Sequence, residues 1–347
     1  MMQWKQINAA PDVFLVEVPF PNLSTSSTNC YVVRDGDEAL VVDTGAPSDE
    51  AACALKTALR EIGVDKANAR FFLTHLHLDH AGLVNRVALP GSAVYASKTD
   101  LDAMHGAHQG RGSAPLLQTL AAEGVGVGEA QEYVEASRFA TGPDLFDDRR
   151  FDVRFVEDGD VLHVGRFALQ VVATPGHTPG HLSLFQPDAG ILFGGDHVLF
   201  VISPSIALFP DGEDGLQAYF DSLDKVRALR CGTLLVSHGE IRSDFGERMA
   251  WLAEHHRQRL DEMVSAVRKR PRQTGIDVVK GVTWNVPHGR WEDIPAAQRW
   301  CIVGVGLSAL NHLVDTGRLL REDGEGGPRR YVAANSLDNS SAGGFAV

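Results

Sequence analysis

Residues 71–80 read Phe-Phe-Leu-Thr-His-Leu-His-Leu-Asp-His, an apolar run ending in three imidazoles and a carboxylate within six residues. Few folds tolerate such a string, because polar groups gathered at the end of a buried strand must find hydrogen bonds or a cation. Neutral imidazole nitrogen and carboxylate oxygen are the donors that a borderline-soft divalent ion such as zinc takes. His75 and His77 are two apart, so in an extended chain they point to one side and can share an ion. Asp79 and His80 fall where Ala81-Gly82-Leu83-Val84 begins a helix-like stretch, so they project differently and suit a second ion nearby. One histidine here would read as a polar core contact; the whole string reads as a metal site.

At 347 residues the chain is long enough for one large domain and a smaller one. Its formal net charge of -13 argues against indiscriminate binding to nucleic acid or anionic membrane, although a local basic face is compatible with it. Cys30, Cys53, Cys231 and Cys301 are scattered without a C-x-x-C pair, so neither a disulfide framework nor a thiolate zinc site is indicated. The N-terminus lacks a basic region followed by an apolar one, and no apolar stretch approaches the roughly 20 residues that span a bilayer. A soluble cytoplasmic protein is expected.

The first third reads as a strand meander followed by α/β alternation. Val13–Val18, Cys30–Val33 and Ala39–Asp43 have strand character, the last two joined by the turn Arg34-Asp35-Gly36-Asp37. Ser48 reads as the cap of a helix carrying Ala52, Leu55, Ala58 and Leu59 on one face, and Ala69–Thr74 is the next strand. Residues 97–150, with His105 and His108 in a Gly-rich run, read as an insertion or lid. Strands resume over Phe151–Phe155, Val161–His163, Phe167–Ala173, Leu182–Phe185 and Ile191–Phe193. Later, Met249, Leu252, His256, Leu260, Met263, Val264 and Val267 share one helical face. Val303, Leu307, Leu310 and Val314 form another, capped at Gly317 before two short strands. The division expected is a catalytic domain over 1–245, a small winged-helix-like helical domain over 246–334 and a disordered tail over 335–347.

Three further groups each follow a predicted strand: the Gly/Pro-rich loop Thr174-Pro175-Gly176-His177-Thr178-Pro179-Gly180-His181, then Gly194-Gly195-Asp196-His197, then Ser237-His238-Gly239-Glu240. One sheet edge could gather all of them with the first string. Ser237 adjoins His238, but nothing pairs it with a base in triad fashion.

These motifs together resemble the metallo-β-lactamase-fold hydrolase superfamily over roughly residues 12 to 245, with its His-x-His-x-Asp-His signature at His75–His80. The resemblance implies an αββα four-layer sandwich of α/β (α+β) class with two divalent metal ions at the sheet edge. Zinc is the expected ion, with iron or manganese as alternatives. By the same resemblance His75, His77 and His177 hold the first metal, Asp79, His80 and His238 the second, and Asp196 bridges them. Asp43, in Val-Val-Asp-Thr-Gly, matches an early aspartate that orients the site. A metal-bridging hydroxide is the implied nucleophile. His181 is expected to hydrogen-bond within its loop. His197 is expected either to reach substrate or donate a proton, or to make a polar core contact. His255 and His256 read as structural.

For the substrate, GHTPGH is similar to the corresponding loop of glyoxalase-II-like enzymes, and the apolar stretch Val198–Phe209 suits an acyl group better than a polyphosphate. The first expectation is therefore hydrolysis of a small thioester, ester or lactone. The second is an endoribonuclease or phosphodiesterase. The layout is similar to the animal β-lactamase-like endoribonuclease, and Arg268-Lys269-Arg270 with Arg272 supply a basic cluster. Trp284, Trp291 and Trp300 are not interleaved with basic residues as a stacking platform would be. A mononuclear iron sulfur dioxygenase is a further alternative, since it needs only part of the ligand set. True β-lactam hydrolysis ranks lower, and His77, where the flavin-linked di-iron branch carries glutamate, points away from that branch. The C-terminal module is expected to pack on the core, narrow the cleft or mediate a homodimer; no membrane partner is expected.

Overall fold

Along Cys30-Tyr31-Val32-Val33 and Ala39-Leu40-Val41-Val42 every residue is buried, the signature of strands covered on both faces. The computed structural model describes residues 4–20, 26–108, 113–140, 146–209, 212–286, 290–324 and 326–334, so the expected disordered tail and the side chain of His108 lie outside the described residues. The chain forms two units, the first made of residues 4–108, 138–204 and 219–250 among those described.

The first unit holds two sheets. Strands β1 (Trp4–Ala9), β2 (Asp12–Pro19), β3 (Ser27–Asp35), β4 (Glu38–Val42), β5 (Ala69–Phe72), β6 (Ala93–Ala96) and β7 (Asp152–Phe155) lie side by side in sequence order, antiparallel as far as β4 and parallel from there on. The second sheet runs β12 (Thr233–Val236), β11 (Ile191–Gly195), β10 (Leu182–Gln186), β9 (Phe167–Ala173) and β8 (Val161–Val164), parallel only between β11 and β12. The period-2 alternation divides the core. Tyr31, Val33, Leu40, Val42 and Phe72 pack against Leu169, Leu184, Phe193 and Leu235 of the other sheet. Cys30, Val32, Val41 and Phe71 face outward onto Ala51, Leu55, Leu59 and Ile62 of the helix Asp49–Ile62. Burying a leucine or isoleucine of that face is worth about 1.5–3 kcal/mol each. The helix starts where expected: the Ser48 hydroxyl accepts from the Ala51 N–H, and Gly63 closes the other end with φ 82°. On the outer side of the second sheet, the helix Gly215–Ala228 reaches Pro175 through Ser222 and Ala173 through Lys225.

The second unit comprises residues 113–137, 205–218 and 251–334 among those described. It contains the helices Ser113–Ala122, Gly275–Lys280 and Ala296–Asp315 and the antiparallel pair β13 (Leu319–Glu322) and β14 (Arg330–Ala333), the helices-then-hairpin content expected of a winged-helix-like module. The segment 97–150, expected as a single insertion, is instead divided. The helix Lys98–His108 belongs to the first unit and residues 113–137 to the second. Glu123 is the physical reason: buried to 3% exposure, its carboxylate accepts from Tyr331 Oη at 2.8 Å and Arg329 Nη1 at 3.0 Å. Asp214 likewise meets His312 Nδ1 at 2.8 Å, holding residues 205–218 in this unit.

All seven residues expected on the apolar face of the helix Phe245–Lys269 are buried, His256 among them. Burial, with His255 and Arg259 adding to it, pushes the His256 imidazole down to about 3. The folded protein therefore binds fewer protons than the unfolded chain between that value and about 6.5, so this increment of stability is complete above pH 6.5 and is lost as pH falls. Urea unfolding of wild type should weaken between pH 7 and 5 by about 2 kcal/mol more than that of His256→Leu. Equal pH dependence in the two proteins would contradict this. Among the described residues no helix is long and apolar enough to cross a membrane and the four cysteines are free.

Candidate metal centre

Strands β4, β5, β9, β11 and β12 all point their C-termini to one edge: β4 is parallel to β5, β11 to β12, and β9 to β11 through the antiparallel β10. Asp43, Thr74–His80, Thr174–His181, Asp196 and Ser237–His238 are the residues that follow these strands. Topology alone thus collects them. Backbone hydrogen bonds join the two sheets there, Leu182 N to Thr74 O at 2.8 Å and Asn29 N to Ser237 O at 2.7 Å.

Three groups of side chains converge with ligand-type atoms within 4.8 Å of one another: His75, His77 and His177; His75, His80 and Asp196; and Asp79, His80 and His238. In the first, His77 Nδ1 lies 2.9 Å from His75 Nε2 and 3.0 Å from His177 Nε2. In the last, His238 Nε2 is 3.3 Å from Asp79 Oδ2. Asp196 faces both clusters. Its Oδ1 is 3.5 Å from His80 Nε2 and from His238 Nε2, while Oδ2 is 3.6 Å from His177 Nε2.

The far side of three of the rings is held by the protein. Asp43, with φ 59°, accepts at Oδ1 from the Thr74 N–H and at Oδ2 from both Thr74 Oγ1–H and His80 Nδ1–H, each at 2.8 Å. The Thr74 hydroxyl, having donated to Asp43, accepts from His75 Nδ1–H at 3.1 Å. His238 Nδ1–H donates to the Ser27 carbonyl at 2.8 Å. Each of these three rings is thereby fixed with Nε2 turned inward, the arrangement that readies an imidazole for a cation. The His80 carbonyl is gripped by Thr44 N, Thr44 Oγ1 and Gly45 N at 2.7, 2.8 and 3.2 Å.

Electrostatics match that inventory. Burial, reinforced by the neighbouring imidazoles, drives His75 well below the ordinary histidine range and His77 down to about 3. For His80 burial opposes protonation, but the carboxylates of Asp196, Asp43 and Asp79 outweigh it and hold the ring well above that range; His238 is raised in the same way by Asp196 and Asp79. Against the burial that would favour their neutral forms, His80 and His238 hold Asp79 at about 2 and Asp196 well below the carboxylate range. The pocket therefore demands positive charge. His80 Nε2 and Asp196 Oδ1 are buried without a hydrogen-bond partner among the described residues, although 3.5 Å apart. A divalent cation satisfies both orphaned atoms and both carboxylates, so the donor set fits metal.

His181 lies within its loop as expected: Nδ1–H donates to Thr174 Oγ1 at 2.8 Å and Nε2 accepts the Asp196 N–H at 3.1 Å, leaving no lone pair for a ligand role. It thus seats the backbone of Asp196. A side chain at Gly195, φ 53°, would put Cβ 2.5 Å from His181 Nε2, so the turn that delivers Asp196 needs glycine. His197, for which contact with substrate was one expectation, is 0% exposed and packs edge-on against Tyr219 with ring centroids 5.3 Å apart; it joins none of the three convergent groups.

Several residues carry no local signal of their role. Buried Asp100 accepts from Gly180 N at 2.7 Å and Thr178 Oγ1 at 2.8 Å, tying the GHTPGH loop down. Asn29 Nδ2 donates to the carbonyls of Val236 at 3.0 Å and Gly239 at 2.8 Å, and Tyr31 Oη to Val236 O at 2.6 Å, so β3 clamps the segment bearing His238. A polar Asn inside an apolar strand was the one available hint. Asp100→Ala should lower stability by about 1–3 kcal/mol, because it strands a buried N–H and hydroxyl. An unchanged denaturant midpoint would contradict that.

A sequence model of the metallo-beta-lactamase superfamily matches residues 23–238. The chain is 25% identical over 325 residues to the beta-lactamase-like protein 2 homolog of Caenorhabditis elegans, covering 91% of this chain and 86% of that protein. It is 22% identical over 261 residues to an atrochrysone carboxyl ACP thioesterase of Aspergillus fumigatus, covering 75% of this chain but 49% of that protein. Among solved structures, a beta-lactamase domain protein from Burkholderia ambifaria superimposes with a TM-score of 0.76 at 24% identity, covering 95% of this chain and 94% of the other, which speaks to the fold. With its signature string, its two-sheet architecture and this match, the chain belongs to the metallo-beta-lactamase superfamily and is an enzyme of its metallo-hydrolase type.

Proposed function

We infer that the protein is a dinuclear-metal-dependent hydrolase of a small thioester, ester or lactone. Asp196 is the observation that carries this reading: its two carboxylate oxygens are divided between the His80–His238 cluster and His177. In this reading His75, His77 and His177 would hold one cation, Asp79, His80 and His238 the other, and Asp196 both. Zinc is the ion best suited to five imidazoles and two carboxylates, with iron or manganese also accommodated. When bound, such a pair supplies a nucleophile by acidifying water and polarises an acyl oxygen as a Lewis acid.

The chain's own contribution is orientation and charge. Asp43, Thr74 and the Ser27 carbonyl fix three imidazoles with Nε2 inward, so no reorganisation accompanies the reaction. Asp79, whose side chain is 20% exposed against 10% for Asp196, is the more open of the two carboxylates. Support for an acyl substrate comes from the apolar run after Asp196 and from the thioesterase activity in the name of one relative. The test is turnover of a panel of thioesters, aryl esters, lactones and single-stranded RNA by metal-reconstituted protein. Acyl hydrolysis abolished by chelation and restored by metal is expected. Cleavage of RNA alone would contradict the reading.

A further inference from the structure

Val201 and Ile202 are consecutive, 54% and 40% exposed, and belong to the loop that leaves the metal-site residue Asp196. Two neighbouring apolar side chains held in water offer contact area to an apolar group. Their loop is built rather than slack. From the helix Phe245–Lys269, Arg248 donates Nε–H to the Leu199 carbonyl at 2.6 Å and Nη2–H to the Ile202 carbonyl at 2.7 Å, while Val198 and Leu199 are buried beneath. Val201 packs against the segment that carries His238: a Cβ placed on Gly239, the residue after His238, would sit 2.6 Å from Val201 Cγ1. The pair therefore adjoins the loop that carries His238. Nearby, the Arg242 guanidinium covers the Phe200 ring at 5.0 Å and is itself neutralised by Asp244, with Nε to Oδ1 at 2.9 Å. The Arg242 charge is thus already matched, and a hydrocarbon would find apolar surface beside it.

Building on the acyl-hydrolase reading above, we propose that Val201 and Ile202 are the acyl-chain contact and that the substrate is a thioester or ester with an extended apolar acyl group. Its carbonyl faces the histidine and aspartate cluster, and its chain runs over the two side chains. A second copy of this chain is the competing occupant.

The experiment uses N-acetylcysteamine thioesters from acetyl to decanoyl on the metal-reconstituted full chain, with calorimetric binding of the matching non-hydrolysable thioethers. Wild type should gain roughly two- to fourfold in kcat/KM and in affinity per added methylene. Val201→Ser and Ile202→Ser should each flatten that slope by half or more, and Ile202→Leu should restore it. A slope untouched by both serine variants overturns the contact and leaves the hydrolase reading standing. A binding slope flattened by the variants, without turnover of any acyl substrate, supports the contact and overturns the hydrolase reading. A wild-type dimer dissociated by Ile202→Ser, with no chain-length slope, overturns the proposal and makes the patch an interface between copies.

Discussion

Asp196→Ala should lower the metal content of the reconstituted protein from two ions per chain to one or none, and reduce hydrolysis by about a thousandfold or more, as loss of roughly 4 kcal/mol of charge stabilisation implies. The size of the effect follows from position. One Asp196 oxygen faces His80 and His238 and the other His177, so the substitution withdraws a donor from both halves of the site at once. The variant should still fold, because the Asp196 backbone N–H keeps its bond to His181 Nε2 and the turn at Gly195 is unaltered. Metal analysis and turnover on the same preparation decide the matter. Two tightly held ions with full activity in Asp196→Ala would refute the bridging role.

Asp43→Asn should weaken metal binding by about 10–100-fold with smaller change in the fold, the usual cost of losing a carboxylate behind a ligating histidine. Asparagine tolerates the left-handed φ of 59° and keeps the shape, so the change isolates charge and acceptor capacity. What it disturbs is the junction at Asp43 Oδ2, which receives both the Thr74 hydroxyl and His80 Nδ1–H. An amide nitrogen there would confront two donors and release His80 to choose the wrong tautomer. Asp43→Ala adds a backbone cost of about 1 kcal/mol by forcing alanine into the left-handed region, so it should be less stable than Asp43→Asn. Metal affinity unaltered in Asp43→Asn would show that the carboxylate does not position the site.

The site was legible in the sequence because its chemistry is dense and regularly placed. His75, His77, Asp79 and His80 occupy one short string, and His177, Asp196 and His238 each follow an apolar run recognisable as a strand. Strand ends of like direction share an edge, so predicting the strands was enough to gather the donors. Ser48 as a cap and the face from Met249 to Val267 were readable for the same reason, being set by local spacing. What escaped acts at a distance. Asp100 meets Thr178 across 78 positions and Asn29 meets Val236 across 207, and neither has a neighbour in the chain that marks it. The composition of the second unit was hidden likewise, since buried Glu123 finds Tyr331 across 208 positions. At His197, adjacency to Asp196 says nothing about direction: successive residues in an extended turn point oppositely, and this ring packs against Tyr219.

Metal titration of the apoprotein, with bound metal and acyl-ester turnover followed together, tests the dinuclear hydrolytic centre most directly. Activity should rise until two divalent ions are bound per chain and then stop. Saturation at a single iron with oxygen consumption and no hydrolysis would contradict it.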